Sequence, residues 1–418
     1  MEAGMTRAED MSFARRAGVL AFLMLAYFFY AWAWNTVDIL RPYIRDSVGM
    51  TTQQSGWLYS IQSVGALVGA VVMGQVADRI GRRNALTLVM LGYGTCLIAG
   101  AFVNSFAALA VERSFMGFFM GSMYPIVVGI YGGLFPSEQR GTVAGFIMGI
   151  YNIAVALLAG IAGLVIQAGY DWRVMLYAGV VPIVAALFAR RIVPDDRRVA
   201  AWGTDPNAPK VAASKLPIAE LFAPGVRRQT LLLACMTGLN FFAYQAFTGW
   251  ASTYLKDVRG IDAALVGQVL FWQFLASAIG GFAWGWISDR IGRTRAALGF
   301  VLGAALIPVY LFAPLNSFWF MAVGFAYGFM LSSSTVWGPW LSELYPPHLR
   351  STAASIFNWG RVISIFAPVI TGALVPVWGM APVMMLGCGA FLMAAVIWWS
   401  LPETLGSRTA KPVPAPAA

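Results

Sequence analysis

The feature of this sequence that most constrains its fold is a series of apolar runs that recur along nearly the whole chain. About 20 apolar residues are needed to cross the hydrocarbon of a bilayer as a helix. Backbone groups in lipid must bond within their own segment, so each run is predicted to be helical. We therefore predict an all-α membrane protein with twelve transmembrane helices. Their approximate bounds are 17–40, 53–77, 86–104, 107–134, 141–168, 172–193, 228–255, 264–288, 295–314, 317–342, 351–376 and 379–401.

The few charged residues lie almost entirely between these runs and predict an orientation. Only 11% of the 418 residues are charged, whereas soluble domains carry about 25%. With the N-terminus inside, 21 of the 28 Lys and Arg residues fall in cytoplasmic segments, 5 in outer segments and 2 within spans. This is the positive-inside pattern, so both termini are expected in the cytoplasm of a bacterium, with the protein in its inner membrane. The net charge of +10 is then a topology signal, and no nucleic-acid partner is expected.

Residues suited to metal binding or covalent catalysis are scarce. The one histidine, His348, lies in a predicted loop, and Cys96, Cys235 and Cys388 lie far apart in apolar runs. This spacing matches neither a metal site nor a CxxC motif. The sequence therefore predicts no metal, no cofactor and no enzymatic activity.

One polar stretch and one repeated motif divide the chain into two halves. The stretch 194–227 is rich in Pro and Ala, and we predict a cytoplasmic linker there. It separates an N-terminal six-helix bundle (1–193) from a C-terminal six-helix bundle with a short tail (228–418). The motif reads GQVADRIGRRN at 74–84 and GWISDRIGRTR at 285–295, each time between the second and third runs of a half. Recurrence at matching positions indicates internal duplication.

With these motifs the chain resembles the major facilitator superfamily over all twelve runs. The doubled motif is that family's signature, and PSEQRG (136–141), Arg113-x-x-x-Gly117 and LPETLG (401–406) add to the match. The resemblance implies a transporter whose two six-helix bundles rock around a central site near the middle of the membrane.

The resemblance also implies a gating role for the doubled motif, in which Asp78 and Asp289 help lock the outward-facing state. Plain anchoring of the arginines at the membrane surface is the alternative. The residues expected in conformational gating are Gly74, Asp78, Arg79, Gly81, Arg82, Gly285, Asp289, Arg290, Gly292 and Arg293.

Within the superfamily, the phrase ELYPPHLRSTAASIFNWGR (343–361) makes the chain most similar to symporters of organic acids and protons. The fifth run lacks the Gly-Pro signature of proton–drug antiporters, which favours symport or facilitation over efflux. We expect uptake of a small organic anion such as a carboxylate, coupled to protons, by a monomer in the lipid bilayer. A porter of sugars or other neutral solutes is the alternative, favoured by LPETLG, and a non-transporting sensor on the same fold is a second.

Four charged residues lie within or at the ends of predicted spans, where charge is expensive and suggests function. Arg361 lies deep in the eleventh run, and a guanidinium suits a carboxylate; it is predicted to bind the substrate, or else to reach the membrane surface or a structural acid. Asp38 is the candidate proton carrier, unless it is a solvated acid beside Arg41. Glu112 and Arg113 are candidates for proton coupling, with a structural ion pair at a helix end as the alternative. As sequence neighbours they point to different helix faces and need not pair with each other.

Polar and aromatic residues of the spans complete a predicted substrate cavity. Amides and hydroxyls would orient a ligand and rings would cover its apolar part. The alternative roles are bonding between helices and, for Trp and Tyr, an interfacial belt. The candidates are Asn35, Tyr124, Tyr151, Asn152, Asn240, Tyr244, Gln245, Trp272, Gln273, Trp337 and Asn358.

Overall fold

The computed structural model describes residues 6–196, 199–200, 202, 220–314, 316–345 and 356–405. The described parts are almost entirely helical. The helices of the first half are α1 (Phe13–Ile39), α2 (Arg41–Val48), α3 (Thr52–Ile80), α4 (Arg82–Gly100), α5 (Phe106–Met120), α6 (Met123–Leu134), α7 (Ser137–Gln167) and α8 (Val180–Ile192). Those of the second half are α9 (Arg227–Thr253), α10 (Ala263–Ile291), α11 (Leu298–Phe312), α12 (Ser317–Leu331), α13 (Trp337–Leu344), α14 (Ile356–Trp378) and α15 (Met380–Ser400).

Shorter elements extend or connect these helices. A π-helical turn continues α9, and 3-10 turns precede α8 and α11 and follow α12. One parallel strand pair, β1 with β2, ties the N-terminal segment to the start of the predicted linker. These elements are the 3-10 turns Ala8–Asp10, Trp172–Gly179, Arg295–Ala297 and Ser332–Val336, the π turn Tyr254–Val258, and the strands β1 (Thr6–Arg7) and β2 (Val199–Ala200).

The predicted all-α membrane fold is confirmed. Ten described helical segments are long and apolar enough to cross a membrane, and the stretch Val362–Trp378 of α14 is shorter but apolar. The remaining predicted span is α4, a helix of 19 residues that packs against α5 and α8. Most of the predicted linker 194–227 lies outside the described residues, so the division into two bundles at that point stays a prediction.

The second glycine of the doubled motif ends equivalent helices in the two halves. Gly81 terminates α3 with a φ of 85°, and Gly292 terminates α10 with a φ of 111°. Side chains rarely adopt positive φ, so glycine stops the helix there without strain. At the other ends of the same two helices, Thr51 and Gln54 form a capping box at the start of α3, and Asp262 caps α10.

Inside the first half, α3 and α5 approach so closely that glycine is required at the contact. A Cβ atom on Gly69 would lie 1.9 Å from the carbonyl oxygen of Phe118, and one on Gly117 would lie 2.0 Å from that of Gln62. Small residues permit such contacts in membrane bundles, where dispersion and close packing replace the hydrophobic effect. The same restriction applies at Gly65 and Gly121.

The two halves meet along two pairs of long helices, α7 with α10 and α3 with α14. In the first pair, a Cβ on Gly163 would lie 2.8 Å from the Cα of Gly267. In the second pair, the Ser60 hydroxyl donates a hydrogen bond to the carbonyl oxygen of Ile365 at 2.6 Å. The halves are therefore in direct backbone contact on both sides of the central axis.

At one end of the bundle, four charged residues join the halves. Arg45 of α2 donates to Asp257 at 2.6 Å, and Lys256 donates to Asp46 at 2.5 Å. We call these residues the latch, and this end the latch end. The latch residues of the second half lie on the π turn Tyr254–Val258, and π turns are frequent at functional sites. Close by, Ser252 donates to the carbonyl oxygen of Ile39 at 2.7 Å, so the halves are closed against each other here.

The latch depends on pH through Asp46. Burial alone would raise the pKa of this carboxyl, but hydrogen bonds from Lys256 and Arg45 lower it below 3.8, its ordinary value. A carboxyl whose pKa is lowered in the closed arrangement stabilises that arrangement when the pH is above the ordinary pKa of the group. This stabilisation is lost as the pH falls through the lowered pKa. The Asp46 carboxylate of the latch is therefore charged at neutral pH.

We predict that Gly69→Ala destabilises the protein because its Cβ cannot fit against the carbonyl group of Phe118. Overpacking of this kind costs about 1–3 kcal/mol, so the midpoint of thermal unfolding in detergent should fall. The matched control is Gly132→Ala in α6, where no atom lies within 4 Å of the added Cβ. Equal midpoints for the two variants would contradict the close contact between α3 and α5.

The latch is tested by exchanging its charges. Arg45→Asp alone and Asp257→Arg alone each place like charges together, whereas the double variant restores an ion pair. The readout is the rate at which a thiol reagent modifies Ser252→Cys in a chain whose three cysteines are replaced by Ala. Each single variant should react about twofold to fivefold faster, because an exposed pair contributes about 0.5–1 kcal/mol.

The double variant should return to the rate of the parent chain. Arg173→Asp is the control, because the partners of Arg173 among the described residues all lie in the first half at this end. They are Ser47, Asp171, Val103 and Asn104. A double variant that reacts as fast as the singles would show that the latch does not hold the halves together.

Candidate functional site

A buried ionic network at the latch end joins the two halves through Asp38. This carboxylate, 6% exposed, lies in the last turn of α1 and forms an ion pair with Arg41, the first residue of α2. From the second half, Gln245 of α9 donates to Asp38 at 3.4 Å. Arg41 is 2% exposed, donates to the carbonyl oxygen of Ser55 at 3.3 Å and lies 4.3 Å from the ring centroid of Trp250. Asp38 is therefore not the solvated acid of the alternative interpretation, although Arg41 is its neighbour as predicted.

Gly249 of α9 lies beside this network. A Cβ there would lie 2.5 Å from Oε1 of Gln245 and 3.7 Å from Oδ1 of Asp38. Within the described part of the chain, that Gln245 oxygen makes no hydrogen bond. Oε1 of Gln245 is thus an available hydrogen-bond acceptor close to the Asp38 carboxyl group, which would be a donor if it were protonated.

A second buried ionic group lies on α5. The side chain of Arg113 is fully buried, and its Nη1 donates to Thr36 of α1 at 2.8 Å and to Gln62 of α3 at 3.5 Å. Its Nε lies 3.1 Å from Oε2 of Glu112. The sequence neighbours therefore form an ion pair after all. Gln62 in turn donates to the carbonyl oxygen of Trp34 at 3.2 Å, which fixes Arg113 to the helix that carries Asp38.

Phenol rings gather around α1 in the first half. Tyr27 stacks on Tyr30 with ring centroids 5.0 Å apart, and Tyr151 of α7 lies 5.9 Å from Tyr27. Tyr124 of α6 lies 6.4 Å from the same ring. Asn35 donates to the Tyr151 hydroxyl at 2.9 Å. Three of the predicted cavity residues, Asn35, Tyr124 and Tyr151, are thus brought together into one polar, ring-lined cluster.

The second half contributes a further polar group on α9. Tyr244 lies close to Tyr151 of α7 and to Asp38 of α1. One turn further on, Thr248 and Tyr327 share a hydrogen bond of 3.1 Å between their hydroxyls. Tyr244 and Gln245 are therefore the predicted cavity residues that face the first half.

Other candidates lie apart from this cluster. Asn240 and Gln273 are buried, and each has a side-chain oxygen without a hydrogen bond in the described part of the chain. Asn152 donates weakly to its own helix at the carbonyl oxygen of Met148, 3.4 Å away. Trp272 is 41% exposed and packs by Phe271.

Trp337 also lies apart from the cluster, and its predicted contact to a ligand stays a prediction. It is predicted as a ring that covers the ligand, but it is fully buried between Phe300 of α11 and Trp398 of α15, with centroids 5.4 and 5.1 Å away. A ring enclosed in this way packs the core of the second half. Aromatic character alone does not indicate which side of a span faces the central axis.

The side chains of Arg361 and Asn358 lie outside the described residues, although their backbone belongs to α14. Their predicted contacts to a substrate therefore stay predictions.

The two copies of the doubled motif differ in their contacts. In the second half, Arg293 is buried and bonds Asp289 at 2.8 Å, Glu343 at 3.3 Å and Ser288 at 2.7 Å. In the first half, Asp78 is exposed and forms no ion pair within the described ranges. The gating role predicted for both aspartates stays a prediction.

The other motif residues have local roles. The Arg82 amide donates to Asp196 at 3.0 Å, and its guanidinium donates to the carbonyl oxygen of Gly129 at 2.9 Å. The Arg290 guanidinium lies 3.4 Å from the ring centroid of Trp286. Arg79 is exposed, and no atom lies within 4 Å of a Cβ built on Gly74 or Gly285.

The LPETLG motif contacts the second copy of the doubled motif, at the end of the second half that carries this copy. Glu403 accepts hydrogen bonds from the backbone amides of Arg293 and Thr294, at 2.9 and 3.0 Å, and from the Thr294 hydroxyl. Burial would raise the pKa of this carboxyl, but backbone hydrogen bonds from Leu405, Thr294 and Arg293 lower it to about 2. Its carboxylate therefore links the end of α15 to the start of the ninth span. This is a structural role that any substrate class allows, so the motif no longer favours a sugar.

Several residues of the site are not among the sequence candidates. Arg41 counts as a loop residue when only apolar runs are considered, and Thr36, Gln62 and Trp250 carry no signal that separates them from ordinary packing residues. The aromatic residues of α1 offered a signal for the ring cluster, because Tyr27, Tyr30 and Trp34 recur at helical spacing on one face of the run.

The chain is similar to known transport proteins over most of its length. A probable 4-methylmuconolactone transporter of Cupriavidus pinatubonensis (strain JMP 134 / LMG 1197) is 27% identical, over 90% of this chain and 89% of the relative. The cis,cis-muconate transport protein of Acinetobacter baylyi (strain ATCC 33305 / BD413 / ADP1) is 25% identical, over 79% and 81%. The crystal structure of a bacterial homolog of the human lysosomal transporter Spinster, inward-facing and unoccupied, superposes with a TM-score of 0.77 at 15% identity, over 93% of this chain and 97% of that one.

The fold and the buried ionic groups define a membrane transport protein built of packed helices. The profile of the Major Facilitator Superfamily matches residues 23–272 and again 233–417. The chain belongs to this superfamily. It is a transporter and not an enzyme.

Proposed function

We propose that the protein takes up a small organic anion together with protons, by alternating access of a central site to the two sides of the membrane. The observation that carries this proposal is the buried carboxylate of Asp38, which bonds Arg41 in its own half and Gln245 in the other. A group that can change charge at the contact between the halves is suited to couple a proton to their separation. We further propose a monomer in a bacterial inner membrane, with both termini in the cytoplasm and the latch end outside.

The charges of the network explain why an anion and a proton would travel together. While Asp38 is ionised, it neutralises the buried Arg41. Once Asp38 binds a proton, Arg41 is left as a buried charge without a counter-ion, which is strongly unfavourable. An anionic substrate restores the balance. Protonation also weakens the bond that Gln245 makes to Asp38, because hydrogen bonds to charged groups are stronger than neutral ones.

The substrate class is supported by the relatives and by the site. The names of two relatives refer to muconate and to a muconolactone, which makes small organic acids the first solutes to test. Tyr27, Tyr124 and Tyr151 offer rings and hydroxyls that suit an unsaturated or ring-containing acid. Arg361 on α14 is the proposed partner of its carboxylate.

Asp38→Asn is expected to separate transport from coupling. Asparagine keeps the size and the acceptor oxygen of Asp38 but binds no proton at physiological pH. In proteoliposomes, exchange of labelled for unlabelled cis,cis-muconate should persist, whereas accumulation driven by a pH gradient should be lost. Asp262→Asn is the matched control, because Asp262 is an N-cap at the same end and asparagine caps equally well.

Accumulation by Asp38→Asn equal to that of the wild type would remove Asp38 as the carrier. Exchange of a hexose in place of muconate would favour a neutral-solute porter. A pure sensor would exchange no solute at all.

Arg361→Ala tests the anion claim. Loss of a charge-assisted hydrogen bond costs about 1.5–3 kcal/mol, so affinity for muconate should fall about tenfold to a hundredfold. The measurement is the shift of the unfolding temperature with muconate concentration, and Arg361→Lys should recover only part of the affinity because it lacks the planar fork. Unimpaired binding in Arg361→Ala would remove the basis for substrate contact at this residue.

A further inference from the structure

The least satisfied charge in the described part of the molecule is the carboxylate of Glu112. The residue is 7% exposed, and neither carboxyl oxygen makes a hydrogen bond within the described residues. Its one ionic contact is Nε of Arg113, at 3.1 Å, and that nitrogen also makes no hydrogen bond there. Asp38, by contrast, accepts hydrogen bonds from Arg41 and Gln245.

Burial of an ionised carboxylate costs several kcal/mol unless hydrogen bonds replace its water. Arg41 and Gln245 supply such bonds to Asp38, whereas no described group supplies one to Glu112. A proton on Glu112 would remove its uncompensated charge. The two acids of the first half are therefore suited to bind protons separately.

Among the described residues, Arg113 is the one charged group in ionic contact with Glu112. Arg113 lies on the same helix, and Cys96 of α4 is the titratable group close enough for an electrostatic interaction. A Cβ on Gly100 of α4 would lie 3.3 Å from the Glu112 carboxyl carbon and 3.4 Å from Leu176. Toward α1 and α3, Arg113 meets the neutral side chains of Thr36 and Gln62.

The remaining charged groups nearby are already paired. Arg173, which follows the start of the 3-10 turn Trp172–Gly179, bonds Asp171 and the 103–104 loop at the end of the bundle. Asp38 lies two residues beyond Thr36 and pairs with Arg41. Among the described residues, Arg113 is thus the one ionic partner of Glu112.

We propose that Glu112 is a second proton-binding site of this protein, separate from Asp38. The proton comes from water, adds to a carboxylate oxygen, and releases Arg113 from its ionic contact without breaking any bond to Thr36 or Gln62. Arg113 reaches α1 through Thr36, so its charge is then available to the segment that carries Asp38. Its place in the transport cycle rests on the proposed proton coupling, but the binding of the proton does not.

Infrared difference spectroscopy of the full chain in lipid vesicles tests this directly. Titration between about pH 5 and 9 follows the carbonyl stretch of protonated carboxyl groups, and no transported solute is needed. The wild type should show a band of a buried carboxylic acid that is lost in Glu112→Gln and retained in Asp38→Asn. A Glu112→Gln spectrum identical to that of the wild type over the whole titration would overturn the proposal.

Gly100→Ala provides a second variant that keeps the acid itself. Its added Cβ presses on the Glu112 carboxyl group, so the same band should move in frequency or in titration midpoint, while the Asp38 band stays in place. Gly132→Ala, which touches nothing, should leave both bands unchanged. An unshifted band in Gly100→Ala contradicts the assignment even if Glu112→Gln fails to fold.

The two proposals fail independently. If Asp38→Asn retains concentrative uptake while the Glu112 band titrates as expected, the proposed carrier is wrong and the second proton site stands. If no band depends on Glu112 while Asp38→Asn loses coupling, the second proton site is wrong and Asp38 stands as the carrier.

Discussion

Charge inside an apolar bundle is the constraint on which the rest of this structure depends. Lipid offers no partner to a guanidinium or a carboxylate, so each must find one within the protein. Arg41 and Asp38 solve this together, and the second half completes their network with Gln245 and the ring of Trp250. Because Gln245 and Trp250 come from the second half, separation of the halves at this end would take two neutral partners away from the buried ion pair. That is the physical link between the fold and the proposed coupling.

Close helix contact is what makes such partners reachable. The glycines of α3 and α5 let the two backbones touch, and this places Gln62 within reach of Arg113. On α9, Gly249 lies beside Gln245 of its own helix and near Asp38 of α1. Wider spacing would leave room for lipid or water between these groups. The small residues that pack the bundle therefore also determine which polar side chains can meet.

The sequence was sufficient for the elements and for the charged residues, but not for their partners. Apolar runs predict spans because the bilayer demands helices, and Asp38 and Arg113 stand out because charge in a span is rare. Arg41 was missed because it follows a run directly and looks like a loop residue. The burial of Trp337 among rings of the second half could not be predicted, because a ring in a span can face either the core or the central axis. The pairing of Glu112 with Arg113 depends on side-chain conformations, which residue spacing does not report.

The latch of Arg45, Asp46, Lys256 and Asp257 has a consequence for how the protein responds to its medium. Its side chains are partly exposed, so dissolved ions screen their attraction, over about 10 Å at 0.1 M salt and about 3 Å at 1 M. The Asp38 network is buried and is screened much less. Salt in the medium at the latch end therefore weakens the latch while leaving the buried Asp38 network intact. The balance between closed and open forms becomes a function of ionic strength, even for a solute that never touches the latch.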